Sequence, residues 1–314
     1  MITDEIPHYS VMRQVVMDAL LPGPGKTYVD GTLGAGGHTE SILSASSPDG
    51  KVIAFELDPQ AIQIATERLK SFSDRLKIIH DSYSSMSSYL DQNKPVDGIL
   101  LDLGVSSMQI DNPERGFSFQ KEGPLDMRFN PDQSISAYQI INQYPEEELA
   151  RILFVYGEER KSRQIAARIC SIRKNKPIQT TTELAAIIAD AMKQPRQKIH
   201  PATKSFQAIR IAVNGELDAI EKVLPMAISY LKPGGRLAII SFHSLEDRII
   251  KHFFQFESRN CICPPNQPIC TCNHTASIKI ITQHPQIANS AEIDTNIRSR
   301  SAKLRVAEKI GEIR

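Results

Sequence analysis

Long apolar runs are missing from this chain of 314 residues: stretches such as 99–101 and 237–240 stop far short of the roughly 20 residues that a membrane-spanning helix requires, so no membrane span is expected. The opening segment, Met1-Ile-Thr-Asp-Glu-Ile-Pro-His8, is acidic and lacks the basic and apolar regions of a secretion signal, which predicts a cytoplasmic protein. Cysteines are few, five in all, and in that compartment they stay reduced, so a disulfide-stapled scaffold is excluded. Internal repeats and low-complexity tracts are absent as well. With 41% hydrophobic and 23% charged residues, the composition excludes disordered and collagen-like chains and fits a large α/β domain or a core with one insert. A net charge of only +1 carries no sign of a polyanionic partner.

That average hides an asymmetry. Residues 151–210 hold thirteen Lys or Arg against four acids, a local charge of +9 that leaves −8 for the rest of the chain. A basic block inside an acidic protein suits a polyphosphate surface, because each cation that neutralises a phosphate releases counterions. A solvated helix face accounts for the charge pattern equally well.

Short β-branched and apolar runs predict strands at 27–30, 52–56, 76–80 and 99–102, and the spacing of Ala61, Ile62, Ile64, Ala65 and Leu69 predicts an amphipathic helix over 59–70. Strands alternating with helices at this rhythm imply βαβ units and a parallel sheet. A fifth strand is expected at 236–242, after the turn Lys232-Pro-Gly-Gly235, and two last strands at 277–282 and 303–308 as an antiparallel edge. A single crossover helix cannot fill the interval from Leu103 to Gly235, so an insert is expected there, mainly helical between residues 146 and 191 and carrying the basic block. The division is 1–105 for the first part of the core, 106–211 for the insert and 212–314 for the second part.

The first strand ends in Asp30-Gly-Thr-Leu-Gly-Ala-Gly-Gly-His38. A dinucleotide fingerprint counted from Gly34 would need its third glycine at Thr39, so pyrophosphate binding fits poorly. An S-adenosylmethionine loop fits better, with an acid closing the strand before Gly-x-Gly. The second strand ends in Glu56-Leu-Asp-Pro59, a carboxylate about twenty residues beyond the glycines where a ribose is held, and the fourth ends in Asp102 at the carboxyl edge. A tight turn alone explains one such glycine loop; three elements in register are harder to explain structurally.

Further along stand Asp102-Leu-Gly-Val-Ser-Ser-Met-Gln109, Arg115-Gly-Phe-Ser-Phe119, Gly123-Pro-Leu-Asp-Met-Arg128, His200-Pro-Ala-Thr-Lys-Ser-Phe-Gln-Ala-Ile-Arg210, Asn214-Gly-Glu-Leu217 and Ser241-Phe-His-Ser-Leu-Glu-Asp-Arg248. Together they resemble the RsmH (MraW) family of bacterial 16S rRNA cytosine-N4 methyltransferases, over essentially the whole chain from His8. The resemblance implies a Rossmann-like class I S-adenosylmethionine-dependent methyltransferase core with an inserted helical domain. It implies methylation of N4 of a decoding-centre cytosine in the small ribosomal subunit, by a monomer or homodimer. It places the cofactor on Gly36, Gly37, His38, Glu56, Tyr83, Asp102 and Gln109. Glu56 stands where Asp is usual, with Asp58 as a rival for the ribose, and Tyr83 where Phe is usual, which keeps an aromatic face for adenine.

Methyl transfer from a sulfonium is an in-line displacement that depends on positioning. Because the N4 lone pair is delocalised into the ring, acceptors for the amino hydrogens should help. Asp102 is the first candidate, with the carbonyls of Leu103 and Gly104 as partners, and within the family signature His243 is a second catalytic candidate. Arg128, Lys204 and Arg210 are candidates for RNA phosphates, with surface ion pairs as the alternative. The chain lacks the (Asp/Asn/Ser)-Pro-Pro-(Tyr/Phe) signature of many amino-methyltransferases, and no cysteine stands near the ends of strands four and five to attack a base carbon. Cys261, Cys263, Cys270 and Cys272 could hold zinc, but Cys-x-Cys is tighter than the usual spacer and three prolines already stiffen the loop, so no metal ligand is assigned. Two rivals stand: a methyltransferase for a protein or small molecule, which would show little salt dependence, and a non-enzymatic ribosome assembly factor, which would bind cofactor without turnover.

Overall fold

The computed structural model describes residues 10–192, 200–264, 266–267 and 269–311. Three cations of the basic block, Lys193, Arg196 and Lys198, lie outside the described residues, as does the acidic opening segment. The chain divides into two compact units, one formed by the residues up to Gly104 together with those from Leu217 onwards, the other by Val105–Glu216. The second junction comes after Glu216 rather than at 211/212, because the last helix of the inner unit runs on to Asn214 and is closed by Gly215.

The first unit is built on strands β1 (Thr27–Asp30), β2 (Lys51–Glu56), β3 (Leu76–His80), β4 (Val96–Asp102), β5 (Leu231–Ser241), β6 (Ile278–Ile280), β7 (Gln286–Ile287) and β8 (Lys303–Lys309). Their order is β3-β2-β1-β4-β5-β8-β6, with β7 also on β8. β1 to β5 are parallel, whereas β8 runs antiparallel to β5, β6 and β7. Successive side chains on a strand face opposite sides. Ile99, Leu101, Leu237 and Ile239 therefore enter one core, with Ile220, Val223 and Leu224 of α10 (Glu216–Tyr230) and Ile250 and Phe254 of α11 (Ser244–Glu257). Leu100, Ala238 and Ile240 enter the other, with Val16 and Leu20 of α1 (Arg13–Leu20), Ile42 and Leu43 of α2 (Gly37–Ala45) and Ala65 of α3 (Pro59–Arg68). Helices on both faces of a mostly parallel sheet make the α/β Rossmann-like architecture.

β5 is longer than its sequence suggested. Leu231 already pairs with Val96, and the Lys232-Pro-Gly-Gly235 turn bulges out of the ladder before Arg236 pairs with Gly98.

The second unit is helical: α4 (Ser107–Asp111), α5 (Ala137–Gln143), α6 (Glu146–Gly157), α7 (Ser162–Arg173), α8 (Thr181–Met192) and α9 (Thr203–Asn214). Its own core gathers Leu149 and Ile152 of α6, Ile165 and Ile169 of α7, Leu184 and Ile188 of α8, and Phe206 and Ile209 of α9. The apolar positions fall on one face of each helix, which leaves Arg151, Arg163, Arg168 and Lys204 on the outer faces. No helix among the described residues is long and apolar enough to cross a membrane.

Candidate active site

Three acids end adjacent strands of the sheet, and they differ in how much of their accepting capacity is used. Asp30, fully buried, accepts from the Thr39 hydroxyl at 2.7 Å and the Thr32 N–H at 3.1 Å; burial pushes its pKa up, and these bonds and the neighbouring His38 oppose that. Glu56 accepts from the N–H groups of Gly34 at 2.7 Å and of Leu57 and Asp58 at 2.9 Å each, while burial again pushes its carboxyl up. That uses three of the roughly four acceptor positions of a carboxylate. Asp58 is buried and caps α3 through the Gln60 N–H at 3.0 Å, which commits it to the helix. Asp102 is different: its Oδ1 is buried and has no hydrogen-bond partner.

The glycine loop brings His38 beside Asp102. Gly36 sits at φ +83°, a left-handed conformation that glycine adopts without strain, and a Cβ there would meet Leu69 Cδ1 at 2.9 Å. The turn opens α2, of which Gly37 is the first residue and His38 the second. The His38 ring is 5% exposed, neither of its nitrogens has a hydrogen-bond partner, and Nε2 lies 3.6 Å from Asp102 Oδ2. Buried polar atoms are nearly always paired in native proteins, so this cluster of unpaired ones points to a ligand.

The backbone around Asp102 is fixed. Its N–H donates to Thr32 Oγ1 at 2.6 Å, and the Leu103 N–H donates to the Ile240 carbonyl at 3.0 Å. Tyr83, half-buried at the start of a short 3-10 turn, backs the same loop: a Cβ on Gly31 would meet Tyr83 Cβ at 3.1 Å and collide with Leu101. Thr32 and Thr39 escaped the reading of the sequence. The readable signal for both was an acid closing a strand with hydroxyls two and nine residues later.

The remaining candidates each have a partner or a structural use of their own within the unit that holds them. His243 is the N-cap of α11: its Nδ1 accepts from the Glu246 N–H at 3.5 Å, while Glu246 accepts from the N–H groups of Phe242 and His243 at 2.8 and 3.2 Å. The cap occupies only one ring nitrogen, a use that the motif alone did not reveal; Nε2 is buried without a hydrogen-bond partner, 3.2 Å from Glu246 Oε1, just past the carboxyl end of β5. Gln109 lies in the second unit, where it forms a capping box with Ser106 at the start of α4. Arg128 grips Asp126 through two bonds, of 3.0 and 2.7 Å, and donates to the Gln133 carbonyl at 2.7 Å, so the guanidinium ties its own loop together. Arg210 forms a two-pronged pair with Glu216, 2.8 Å at each prong, with side chains only 16% and 6% exposed. Lys204 is exposed, its Nζ 3.5 Å from the Glu158 carbonyl.

Residues 5–310 match the model of the MraW methylase family. Proteins named ribosomal RNA small subunit methyltransferase H are similar to this chain: that of Heliobacterium mobile is 46% identical over 98% of this chain and 100% of its own length, and that of Dehalococcoides mccartyi strain BAV1 is 49% identical over 98% and 88%. The one from Trichlorobacter lovleyi is 47% identical over 98% and 100%. Among solved structures, a putative methyltransferase from Streptococcus mutans in complex with SAH aligns over 96% of this chain and 99% of its own, at 13% identity and a TM-score of 0.45.

Proposed function

Because this chain belongs to the MraW methylase family, we propose that it transfers the methyl group of S-adenosylmethionine to N4 of a decoding-centre cytosine in the 16S rRNA of the small ribosomal subunit. The observation that carries this reading is the unpaired pair at the carboxyl edge: both nitrogens of His38 and Oδ1 of Asp102, buried beside a glycine turn. The donor set fits the cofactor. Glu56 has about one acceptor position left for a ribose hydroxyl, Tyr83 offers an aromatic face, and the first turn of α2 has no side-chain cap, which suits a carboxylate at its N–H groups. Bound there, S-adenosylmethionine supplies an electrophilic methyl group and a sulfur leaving group.

The protein's part is positioning and proton handling. Asp102, held by Thr32 and the Leu103–Ile240 bond, would accept a hydrogen of the cytosine amino group at Oδ1 and so localise the nitrogen lone pair toward the methyl carbon. The proton surplus created by alkylation would leave through the same carboxylate. For the RNA, the exposed cations Arg160, Arg163, Lys174 and Lys204 suit phosphates better than Arg128 and Arg210, whose guanidinium groups are engaged internally. A cytoplasmic location follows from the substrate.

The test is to incubate the purified protein with methyl-labelled S-adenosylmethionine and small subunits lacking the modification, then to identify the labelled nucleoside by mass spectrometry. N4-methylcytidine, with or without a ribose methyl, is the expected product. Label in protein, or cofactor binding without label in RNA, overturns the proposal.

A further inference from the structure

Between the end of α11 at Glu257 and the start of β6 at Ile278 the described residues form neither helix nor strand, yet this segment draws four thiols together. Cys261 Sγ lies 3.5 Å from Cys270 Sγ and 3.8 Å from Cys272 Sγ; Cys270 Sγ lies 3.5 Å from Cys272 Sγ and 3.9 Å from Cys263 Sγ. All four sulfurs fall within 4.8 Å of one another. Zinc–sulfur bonds of about 2.3 Å in a tetrahedron set sulfur–sulfur edges of about 3.8 Å. A disulfide would need about 2.05 Å, so these separations match thiolates sharing one ion rather than thiols joined in pairs.

The surrounding backbone favours the same arrangement. The Cys263 N–H points at Cys261 Sγ and the Ile262 N–H at Cys272 Sγ, each at 3.4 Å, and the Thr271 N–H points at Cys263 Sγ at 3.5 Å. Donors of this kind stabilise negative sulfur and fix ligand direction. For the first Cys-x-Cys pair they also answer the objection of spacing, because the Cys263 N–H turns back onto the Cys261 sulfur; in the second pair the two sulfurs already lie 3.5 Å apart.

We propose that Cys261, Cys263, Cys270 and Cys272 bind one zinc ion as a closed structural site. Four protein thiolates leave no position for water or substrate, so the ion does no chemistry of its own. On binding, each thiol gives its proton to solvent, and four thiolates around Zn²⁺ carry a net charge of −2. The ion pins the tip of a loop whose base is already closed. At that base the Ser277 N–H bonds the Glu257 carbonyl at 2.9 Å, the Ala276 N–H bonds Asn260 Oδ1 at 3.3 Å, and the His274 ring packs on Phe256 with centroids 4.9 Å apart. With little of its own surface buried, such a segment gains its order from the metal.

The experiment is elemental analysis of the full-length, untagged protein purified under reducing conditions without chelator, together with cobalt titration of the metal-stripped reduced protein. About one equivalent of zinc is expected, falling below about a tenth in a variant carrying Cys261→Ser and Cys272→Ser. Cobalt should give the intense sulfur-to-metal bands of a tetrahedral tetrathiolate in the wild-type chain. That optical readout does not depend on how well the serine variant folds. Less than about a tenth of an equivalent of zinc with no cobalt bands, or equal zinc in the wild-type and the double variant, overturns the site.

Discussion

The carboxyl edge of the first unit and the helical second unit treat buried polarity differently. In the second unit the charged side chains that are half-buried or buried find partners at home: Arg128 on Asp126, Arg210 on Glu216 and Lys161 on the Met192 carbonyl. In the first, at the carboxyl edge of the sheet, His38 and Asp102 keep buried nitrogens and an oxygen without partners. Among the described residues an unpaired hydroxyl occurs in each unit, Ser46 in the first and Ser205 in the second, whereas unpaired ring nitrogens, of His38 and at His243 Nε2, occur in the first unit. Pairing stabilises a fold, whereas unpaired polar atoms held rigidly in a pocket have bonding capacity left for something that is not the protein. The difference separates architecture from chemistry among residues that one family signature presents together.

Substitutions can break that contrast at either end. The largest effect is expected for Asp102→Asn, which keeps size but removes the accepting charge: turnover should fall by about 100-fold or more while the melting temperature stays within a few degrees. Unchanged turnover with weaker cofactor affinity would reduce Asp102 to a cofactor ligand. Next comes Arg210→Ala, which strands Glu216 as a buried lone carboxylate and should cost about 3 kcal/mol in denaturant unfolding. Arg128→Ala, at a more open pair, should cost about 1 kcal/mol by the same assay. If either variant instead stayed as stable as the parent and lost RNA affinity, the cation would belong to the RNA surface. For the exposed cations, removing Arg163 or Lys174 should each reduce by about 1 the slope of log affinity for RNA against log salt.

The smallest effect concerns a paired charge in the first unit. Burial of Asp247 works against its ionised form, but Arg305 at 2.6 Å and Lys303 outweigh that and hold its carboxyl below the ordinary range. A depressed folded-state pKa contributes stability that is present above the unfolded value and lost as pH falls through the folded one. Asp247→Asn should therefore lower stability at neutral pH and flatten the acid limb of the stability curve, as read from unfolding midpoints across that range.

Much of this was legible beforehand because the sheet announces itself. β-branched runs bounded by polar residues mark β1 and β3 at the residues expected, and an acid at the end of a parallel strand stands at the ligand edge by topology alone, as Asp30, Glu56 and Asp102 do. The two-residue β7 has too little pattern to read, and the early start of β5 depends on pairing with Val96, a contact 135 residues distant. Which acid is spent on backbone N–H groups is a property of three-dimensional closure. Glu56 looked like a free ribose ligand and proved mostly occupied by Gly34, Leu57 and Asp58. Likewise Arg210 and Glu216 are six residues apart across the end of α9, where the turn at Gly215 folds one onto the other.

The central claim is that unpaired buried atoms of the first unit await a ligand, and the most direct measurement is calorimetric titration of S-adenosylmethionine into the wild-type protein and His38→Ala, with the unfolding midpoint of each recorded alongside. Because the His38 ring makes no hydrogen bond in the protein itself, its removal should weaken cofactor binding about tenfold or more and leave the midpoint unchanged or slightly higher. Unchanged affinity with a lowered midpoint would contradict the account, by making His38 part of the architecture after all.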